Sequence, residues 1–94
     1  MFYFNTPFIQ IENYDLDVDI VKLIPEEMAR YYQVIALEQH KDILIVGMVN
    51  PKDNTAINII KTRLNKKILP VKIEIQNWAN AINNNYIKPD MQRV

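Results

Sequence analysis

The chain has 94 residues, and nearly half of them are apolar, which is enough for one hydrophobic core and too little for two. Eleven basic side chains balance eleven acidic ones, so no net charge draws the chain towards nucleic acid or an anionic membrane. The absence of cysteine excludes disulfides and thiol nucleophiles, and a single histidine excludes a histidine-rich metal site. A single glycine cannot build a phosphate-binding loop that needs several. The composition therefore predicts a domain without catalysis, cofactor or bound metal.

The first 14 residues predict either a short edge strand or an extended arm that lies on the core. Phe8, Ile9, Ile11 and Tyr14 stand between polar positions. The aromatic residues ahead of them lack the positively charged start of a secretory signal. No stretch of the chain approaches the ~18 consecutive apolar residues of a membrane span. We therefore expect a cytoplasmic protein with no membrane insertion.

Two short helices are predicted next. Asp17 is a candidate N-cap of the first helix, and Pro25 ends that helix and can begin the second at its first position. Met28, Tyr31 and Tyr32 supply the apolar side of the second helix. Adjacent positions on a helix differ by about 100°. Tyr31 and Tyr32 therefore cannot both face the core, and we expect at least one of them to be exposed.

Residues 34–37 and 43–49 predict two strands of an antiparallel hairpin, with residues 38–42 as a polar turn. The second run is apolar on both faces, which is typical of a central strand. Gly47 within it indicates a close backbone approach or a bulge. His40 is expected to be a solvated turn residue, because spacing gives it no catalytic partner.

A longer helix is predicted from Asp53 or Asn54, either of which can cap it, to Leu64. Its apolar residues recur with the 3.6-residue period, and Asn65 is placed to end it in the left-handed conformation. The strand–helix–strand unit over residues 43–75 is expected to cross over right-handed.

A third strand is predicted over residues 66–75, and a final helix is predicted to begin near Gln76 and to bury Trp78 and Tyr86. Pro70 lacks an amide donor and suits an edge strand. The alternating apolar positions of this strand, which predict one buried face, are Leu69, Val71, Ile73 and Ile75.

The elements together predict an α+β fold with the order α-α-β-β-α-β-α. A small three-stranded sheet combines the antiparallel hairpin with the crossover unit, and the helices pack on the sheet. We expect residues 1–86 to form a single domain, with residues 1–14 as its arm or edge strand. Residues 87–94, which contain Pro89 and few apolar residues, are expected to be a flexible tail or the start of a linker.

Charge is distributed unevenly along the chain. Residues 12–27 carry six acids and one lysine, whereas a basic stretch extends from Lys61 to Lys72 without an acid. The basic stretch is either a docking face for an acidic partner, a head-to-tail contact between copies, or a set of ordinary exposed lysines. Glu12, Asp15, Asp17 and Asp19 suggest a calcium loop only weakly, because the glycine of its sharp turn is missing. The candidate partner-binding residues are Phe2, Phe4, Tyr31, Tyr32, Lys61, Arg63, Lys66 and Lys67.

Four segments carry a resemblance to a known family. Residues 23–35 read Leu-Ile-Pro-Glu-Glu-Met-Ala-Arg-Tyr-Tyr-Gln-Val-Ile, and residues 7–14 read Pro-Phe-Ile-Gln-Ile-Glu-Asn-Tyr. Residues 44–53 read Leu-Ile-Val-Gly-Met-Val-Asn-Pro-Lys-Asp, and residues 81–86 read Ala-Ile-Asn-Asn-Asn-Tyr. This ordered set resembles the N-terminal region of type II secretion and type IV pilus assembly ATPases. Within that region it is similar to the second subdomain, which is related to the C-terminal part of the cyclic-di-GMP-binding MshEN domain.

The resemblance implies a non-catalytic adaptor at the cytoplasmic face of a bacterial inner membrane. Its expected partner is the inner-membrane platform protein or the motor domain of its own parent, with oligomers formed only through either of these. Relatives that bind cyclic di-GMP carry two tandem Arg-Leu-Gly motifs, which this chain lacks. Cyclic di-GMP sensing therefore stays the alternative function. The family usually has alanine at the position of Gly47 and glycine at that of Asn65, which are local backbone changes.

Overall fold

A computed structural model describes residues 16–86, which form helices and strands in the predicted α+β order. The elements are α1 (Val18–Val21), α2 (Glu26–Tyr32), β1 (Val34–His40), β2 (Ile43–Met48), α3 (Asn54–Leu64), β3 (Lys67–Lys72) and α4 (Ile75–Asn85). The described strands form one mixed sheet in the order β1-β2-β3, which confirms the predicted fold class and the central position of β2. The predicted arm over residues 1–14 and the tail over residues 87–94 lie outside the described residues.

The hairpin is antiparallel as predicted, but its turn is shorter than predicted. β1 extends to His40, which pairs with Ile43, so only Lys41 and Asp42 connect the strands. The register shifts between Ala36 and Glu38, as at a β-bulge. The prediction that residues 38–42 form a turn was wrong, because the polar side chains at the end of β1 mark an exposed part of an edge strand.

The parallel pairing of β2 with β3 requires α3 to cross over the sheet, as the sequence predicts. The right-handed sense of this crossover stays a prediction. Pro70 lies on β3, an edge strand, where its missing amide proton is tolerated. Gly47 is closely approached: a Cβ atom there would lie 3.0 Å from Cγ2 of Ile73. The atoms that approach Gly47 closely belong to side chains and not to another backbone, so the prediction was right about the tight space and wrong about its cause.

The third strand is shorter than predicted, because the chain leaves the sheet after Lys72. Ile73 still donates its amide proton to the Met48 carbonyl at 3.1 Å, but Ile75 is already the first residue of α4. Leu69 and Ile75 are exposed, whereas Val71 and Ile73 are buried. The predicted continuous buried face was therefore wrong at its two outer positions.

The helix ends follow the local chemistry of the sequence. Asp17 Oδ1 accepts from the Asp19 amide at 2.9 Å, and Asp53 Oδ1 accepts from the Ala56 amide at 3.1 Å. Asn65 ends α3 in the left-handed conformation with φ 54°, as predicted. Pro25 lies one position before its predicted place, as the N-cap of α2.

Two aromatic side chains of α4 join the helices to the sheet. Trp78 Nε1 donates to the Val34 carbonyl at 3.0 Å. The Tyr86 hydroxyl lies 2.7 Å from the Val21 carbonyl oxygen and 2.6 Å from that of Ile24, at the end of α1 and just beyond it. The hydroxyl has one proton, which it shares between these two carbonyls, and the Val21 carbonyl also accepts from the Ile24 amide at 3.4 Å. The largest fully buried side chains around them include Ile24, Ile35, Leu37, Leu44, Met48, Ile60, Ile73 and Ile82.

Candidate protein-interaction site

One end of the sheet carries a cluster of cations that we call the basic end. It consists of Lys41, Lys61, Arg63, Lys66 and Lys67. The end of α3, the hairpin turn and the start of β3 meet here, because the Lys67 amide donates to the Asp42 carbonyl at 2.8 Å. Lys61, Lys66 and Lys67 line an open depression together with Asp42, Thr62 and Asn65. Of the predicted site residues, Lys61, Lys66 and Lys67 therefore line one depression, whereas Arg63, in the last turn of α3, is not among its lining residues.

The position of these cations has a local explanation in the helix. The last turn of an α-helix carries a partial negative charge, which Lys61 and Arg63 complement at the end of α3. None of the cations of the basic end forms an ion pair with another residue of the described range. Lys72 does not belong to the basic end, because its Nζ donates to the Val49 carbonyl. The charges of the basic end are thus not neutralised by ion pairs within residues 16–86.

A second surface lies at the end of α2. Tyr31 is 79 % exposed, and its ring meets that of Tyr32 edge to face with 4.8 Å between the centroids. This confirms that at least one of the two tyrosines is exposed. Arg30 beside them is held by Glu26 at 2.8 Å and lies 3.4 Å from Asn83 Oδ1. Tyrosine and arginine are enriched among the residues that dominate binding energy at protein interfaces.

The two surfaces lie at opposite ends of the sheet. Gln33, directly after α2, accepts a hydrogen bond from the Val49 amide just beyond the end of β2. Lys67 pairs with Ile43 at the start of β2. Six residues of strand separate the two positions, which corresponds to about 20 Å. The structure therefore does not bring the predicted tyrosines and lysines together, and Phe2 and Phe4 lie outside the described residues.

Sequence reasoning missed a third feature, which we call the open sheet patch. It consists of Ile43, Ile45 and Leu69, which lie beside one another on β2 and β3. Leu69 is 48 % exposed, and the other two are partly exposed. The uninterrupted apolar run of β2 predicted burial on both faces. The apolar sequence of β2 gives no sign of the patch. A strand whose face is covered by other elements over half its length can have the same composition as a strand that is covered throughout.

Two observations concern the titratable side chains of the described range. No group of three or more histidine, aspartate or glutamate side chains is placed to hold a metal ion in residues 16–86. Burial raises the pKa of the Tyr86 hydroxyl to about 12, with the Glu26 carboxylate adding to the effect. That hydroxyl is hydrogen-bonded inside the core. The calcium interpretation also involved Glu12 and Asp15, which lie outside the described residues.

Helix length bears separately on membrane insertion. Among the helices of the described residues, none has the length and apolar character needed to cross a bilayer.

The α+β fold described above recurs as part of longer chains. The MshEN domain model matches residues 4–91, so the chain belongs to the MshEN domain family. A type IV pilus assembly ATPase, PilB of Myxococcus xanthus (strain DK1622), is 31 % identical over 58 residues. That match covers 62 % of this chain but only 10 % of PilB. The predicted membership of the N-terminal region of secretion and pilus ATPases is confirmed.

Two solved structures share the fold. The structure of MshE with cdg has a TM-score of 0.80 at 23 % identity and covers 86 % of this chain and 59 % of that chain. The N-terminal domain of XpsE has a TM-score of 0.74 at 12 % identity and covers 86 % of this chain and 57 % of that chain. The matches are to a small N-terminal domain and not to the catalytic motor of an ATPase.

Proposed function

We propose that the chain is a non-catalytic adaptor domain of a bacterial type II secretion or type IV pilus ATPase. It links the motor to the inner-membrane platform protein at the cytoplasmic face of that membrane. The family match supports this placement, and the relative PilB supports the ATPase context. Because the chain spans a tenth of PilB, motor activity belongs to other parts of such a protein.

The observation that carries the proposal is the presence of two separate exposed surfaces. An adaptor must hold two partners at once, and the aromatic residues Tyr31 and Tyr32 lie at the opposite end of the sheet from the basic end. One surface serves the platform protein, and the other serves the motor domain of the parent. Oligomers then form only through the parent or the partner.

Isothermal titration calorimetry of the chain against the platform protein's cytoplasmic domain tests the proposal. We expect binding that weakens at least about tenfold, or ~1.4 kcal/mol, in Tyr31→Ala or in the double variant Lys66→Glu, Lys67→Glu. Asn84→Ala on the exposed side of α4 is the matched control and should bind as the unmodified chain does. Absence of binding by both this chain and a full-length parent contradicts the adaptor function.

Cyclic di-GMP sensing is the second candidate, favoured by the fold match to MshE solved with cdg. The missing Arg-Leu-Gly motifs argue against it. A thermal-shift measurement separates the two functions, because a ligand at 100 times its Kd adds about 2.7 kcal/mol of stability. We expect no shift with cyclic di-GMP. A shift that saturates with ligand would make nucleotide sensing the better proposal.

We also propose that residues 1–86 are one domain and that residues 87–94 begin a tail or linker. The family match supports a domain that includes residues ahead of Leu16, since it begins at residue 4. Limited proteolysis with mass spectrometry tests this boundary. The expected first cuts lie after Tyr86, and early cuts within residues 4–86 would contradict it.

A further inference from the structure

The open sheet patch follows from the strand register. Ile43 pairs with Lys67, and Ile45 pairs with Leu69, so the side chains of each pair project from the same face of the sheet. Ile45 follows Ile43 by two positions, which places all three aliphatic side chains on this one face. Further along the same face, Gly47 and Val71 are buried. The exposed apolar area is therefore confined to the half of the face nearest the basic end.

The other face of the sheet has no such opening on β2. Leu44 and Val46 alternate with the patch residues and have no exposed surface. This difference between the two faces shows that the exposure is not fraying at the end of a strand. It is an apolar area on a well-packed sheet, of the kind that marks an interaction site when polar groups border it.

Positive charge borders the patch. Lys67 lies in the same cross-strand row as Ile43, and Lys66 precedes it in the chain. Two carboxylates also lie in this region of the described chain, Glu38 opposite Ile45 on β1 and Asp42 in the hairpin turn, against the five cations of the basic end. An apolar centre with a polar, solvent-accessible rim is the usual composition of a protein interface. The excess of positive charge specifies the sign of the charge on the partner.

We propose that the open sheet patch and the basic end together dock an extended acidic segment of a partner protein, in which apolar residues alternate with Asp or Glu. In an extended chain, side chains at i and i+2 are about 6.7 Å apart. That spacing matches the spacing from Ile43 to Ile45 along β2. The partner's apolar side chains cover Ile43, Ile45 and Leu69, and its carboxylates lie over Lys66 and Lys67. The inference rests on the adaptor function and names the chemistry of one of its two partners.

A peptide selection tests the proposal and does not require the partner protein itself. The probe is a phage library of random twelve-residue peptides, selected on the full 94-residue chain and counter-selected on the Leu69→Glu variant. We expect enrichment of peptides with net negative charge and alternating apolar residues. The enriched peptides should bind Leu69→Glu and the double variant Lys66→Glu, Lys67→Glu at least tenfold more weakly than the unmodified chain.

Ile59→Glu is the matched control, because Ile59 is a partly exposed aliphatic residue of α3 outside the patch. It should bind the enriched peptides as the unmodified chain does. Circular dichroism of each variant checks that the fold is retained. Weakened binding by Ile59→Glu to the same degree as by Leu69→Glu overturns the assignment of the surface.

Other occupants of the patch give different results, each of which overturns the proposal. Enrichment of neutral or basic peptides, or no enrichment, contradicts the acidic segment. An oligonucleotide or anionic phosphatidylglycerol vesicles could bind through Lys66 and Lys67 more tightly than the enriched peptides do. That result assigns the surface to a different class of partner. Self-association that Leu69→Glu abolishes assigns it to a second copy. Nuclear Overhauser contacts from Phe8 or Ile11 to Leu69 in the free chain assign it to the chain's own N-terminal residues.

Failure of this inference is distinguishable from failure of the adaptor function. One outcome is that the platform domain binds while Leu69→Glu weakens neither its binding nor that of the selected peptides. In that case the adaptor function stands and the surface assignment fails. If the platform domain does not bind while acidic peptides bind at the patch, the surface assignment stands and that partner is wrong.

Discussion

Replacing Tyr86 with Phe removes the hydroxyl that joins α4 to the α1 region through one proton shared by two carbonyl oxygens. The hydroxyl is the partner of the Val21 and Ile24 carbonyls, at 2.7 and 2.6 Å, and the phenyl ring that remains still fills the core. Leaving a buried acceptor without its donor costs about 1–3 kcal/mol. We therefore expect Tyr86→Phe to lower the free energy of unfolding by roughly this amount. For a domain of this size, each kcal/mol lowers Tm by about 4–8 °C.

Urea unfolding followed by the fluorescence of Trp78, the only tryptophan, measures the effect. The midpoint should fall while the slope stays unchanged, because the surface exposed on unfolding is the same. Tyr31→Phe is the matched control, since that side chain is 79 % exposed and should change stability by less than about 0.5 kcal/mol. Equal midpoints for the two variants would refute the role given to the Tyr86 hydroxyl.

Alkaline pH supplies an independent check on the same group. Burial raises the pKa of Tyr86 from 10.0 to about 12, so the folded chain retains a proton that the unfolded chain releases. Stability from this group is fully present below pH 10 and is lost as pH rises from 10 to 12. The unmodified chain should therefore lose more stability than Tyr86→Phe between about pH 9 and 11. Identical losses in both proteins would contradict the assignment.

Three further substitutions test the packing and the helix ends by thermal unfolding followed with circular dichroism. Ile60→Asp should unfold the domain, because an unpaired buried charge costs several kcal/mol against a total of about 5–15; Asn58→Asp on the exposed side of α3 is its control. Asp53→Ala should cost about 0.5–2 kcal/mol through the lost N-cap bond, and an unchanged Tm would contradict that bond. Asn65→Ala should cost about 1–2 kcal/mol because φ is positive there, whereas Asn65→Gly should not destabilise; equal losses would refute this.

The fold was predictable where a residue acts through its own backbone or its immediate neighbours. Asp17 and Asp53 cap helices with side chains that reach an amide two or three residues away. Asn65 tolerates the positive φ that ends α3, and Gly47 has no Cβ atom to collide with the Ile73 side chain. The helix ends need no knowledge of distant contacts, so the sequence predicted the element order and the ends of α3 correctly.

The errors arose where distant packing decides the outcome. The polar end of β1 was predicted as a turn. Polar side chains indicate exposure to solvent, but they do not show whether the backbone is hydrogen-bonded to a neighbouring strand. Ile75 continued the alternation of the third strand, yet it begins α4 because the chain leaves the sheet after Lys72. Leu69 is exposed for a related reason. It lies on the same sheet face as the buried Val71, but on the half of that face that the other described elements do not cover.

The candidate site was predictable in part. The cations after Lys61 are close in sequence, so their grouping at one surface follows from the end of α3 and the start of β3. The separation of Tyr31 from these cations depends on how α2 joins the far end of the sheet, which no local pattern specifies. The open sheet patch was not predictable, because it depends on which half of one sheet face the other elements leave uncovered.

The hydroxyl of Tyr86 also ties together two segments that are far apart in the chain. It bonds the residue directly after α4 to Val21 and Ile24, which lie 65 and 62 residues earlier. The end of α4 therefore cannot open locally without breaking a contact of the α1 region, and the reverse holds as well.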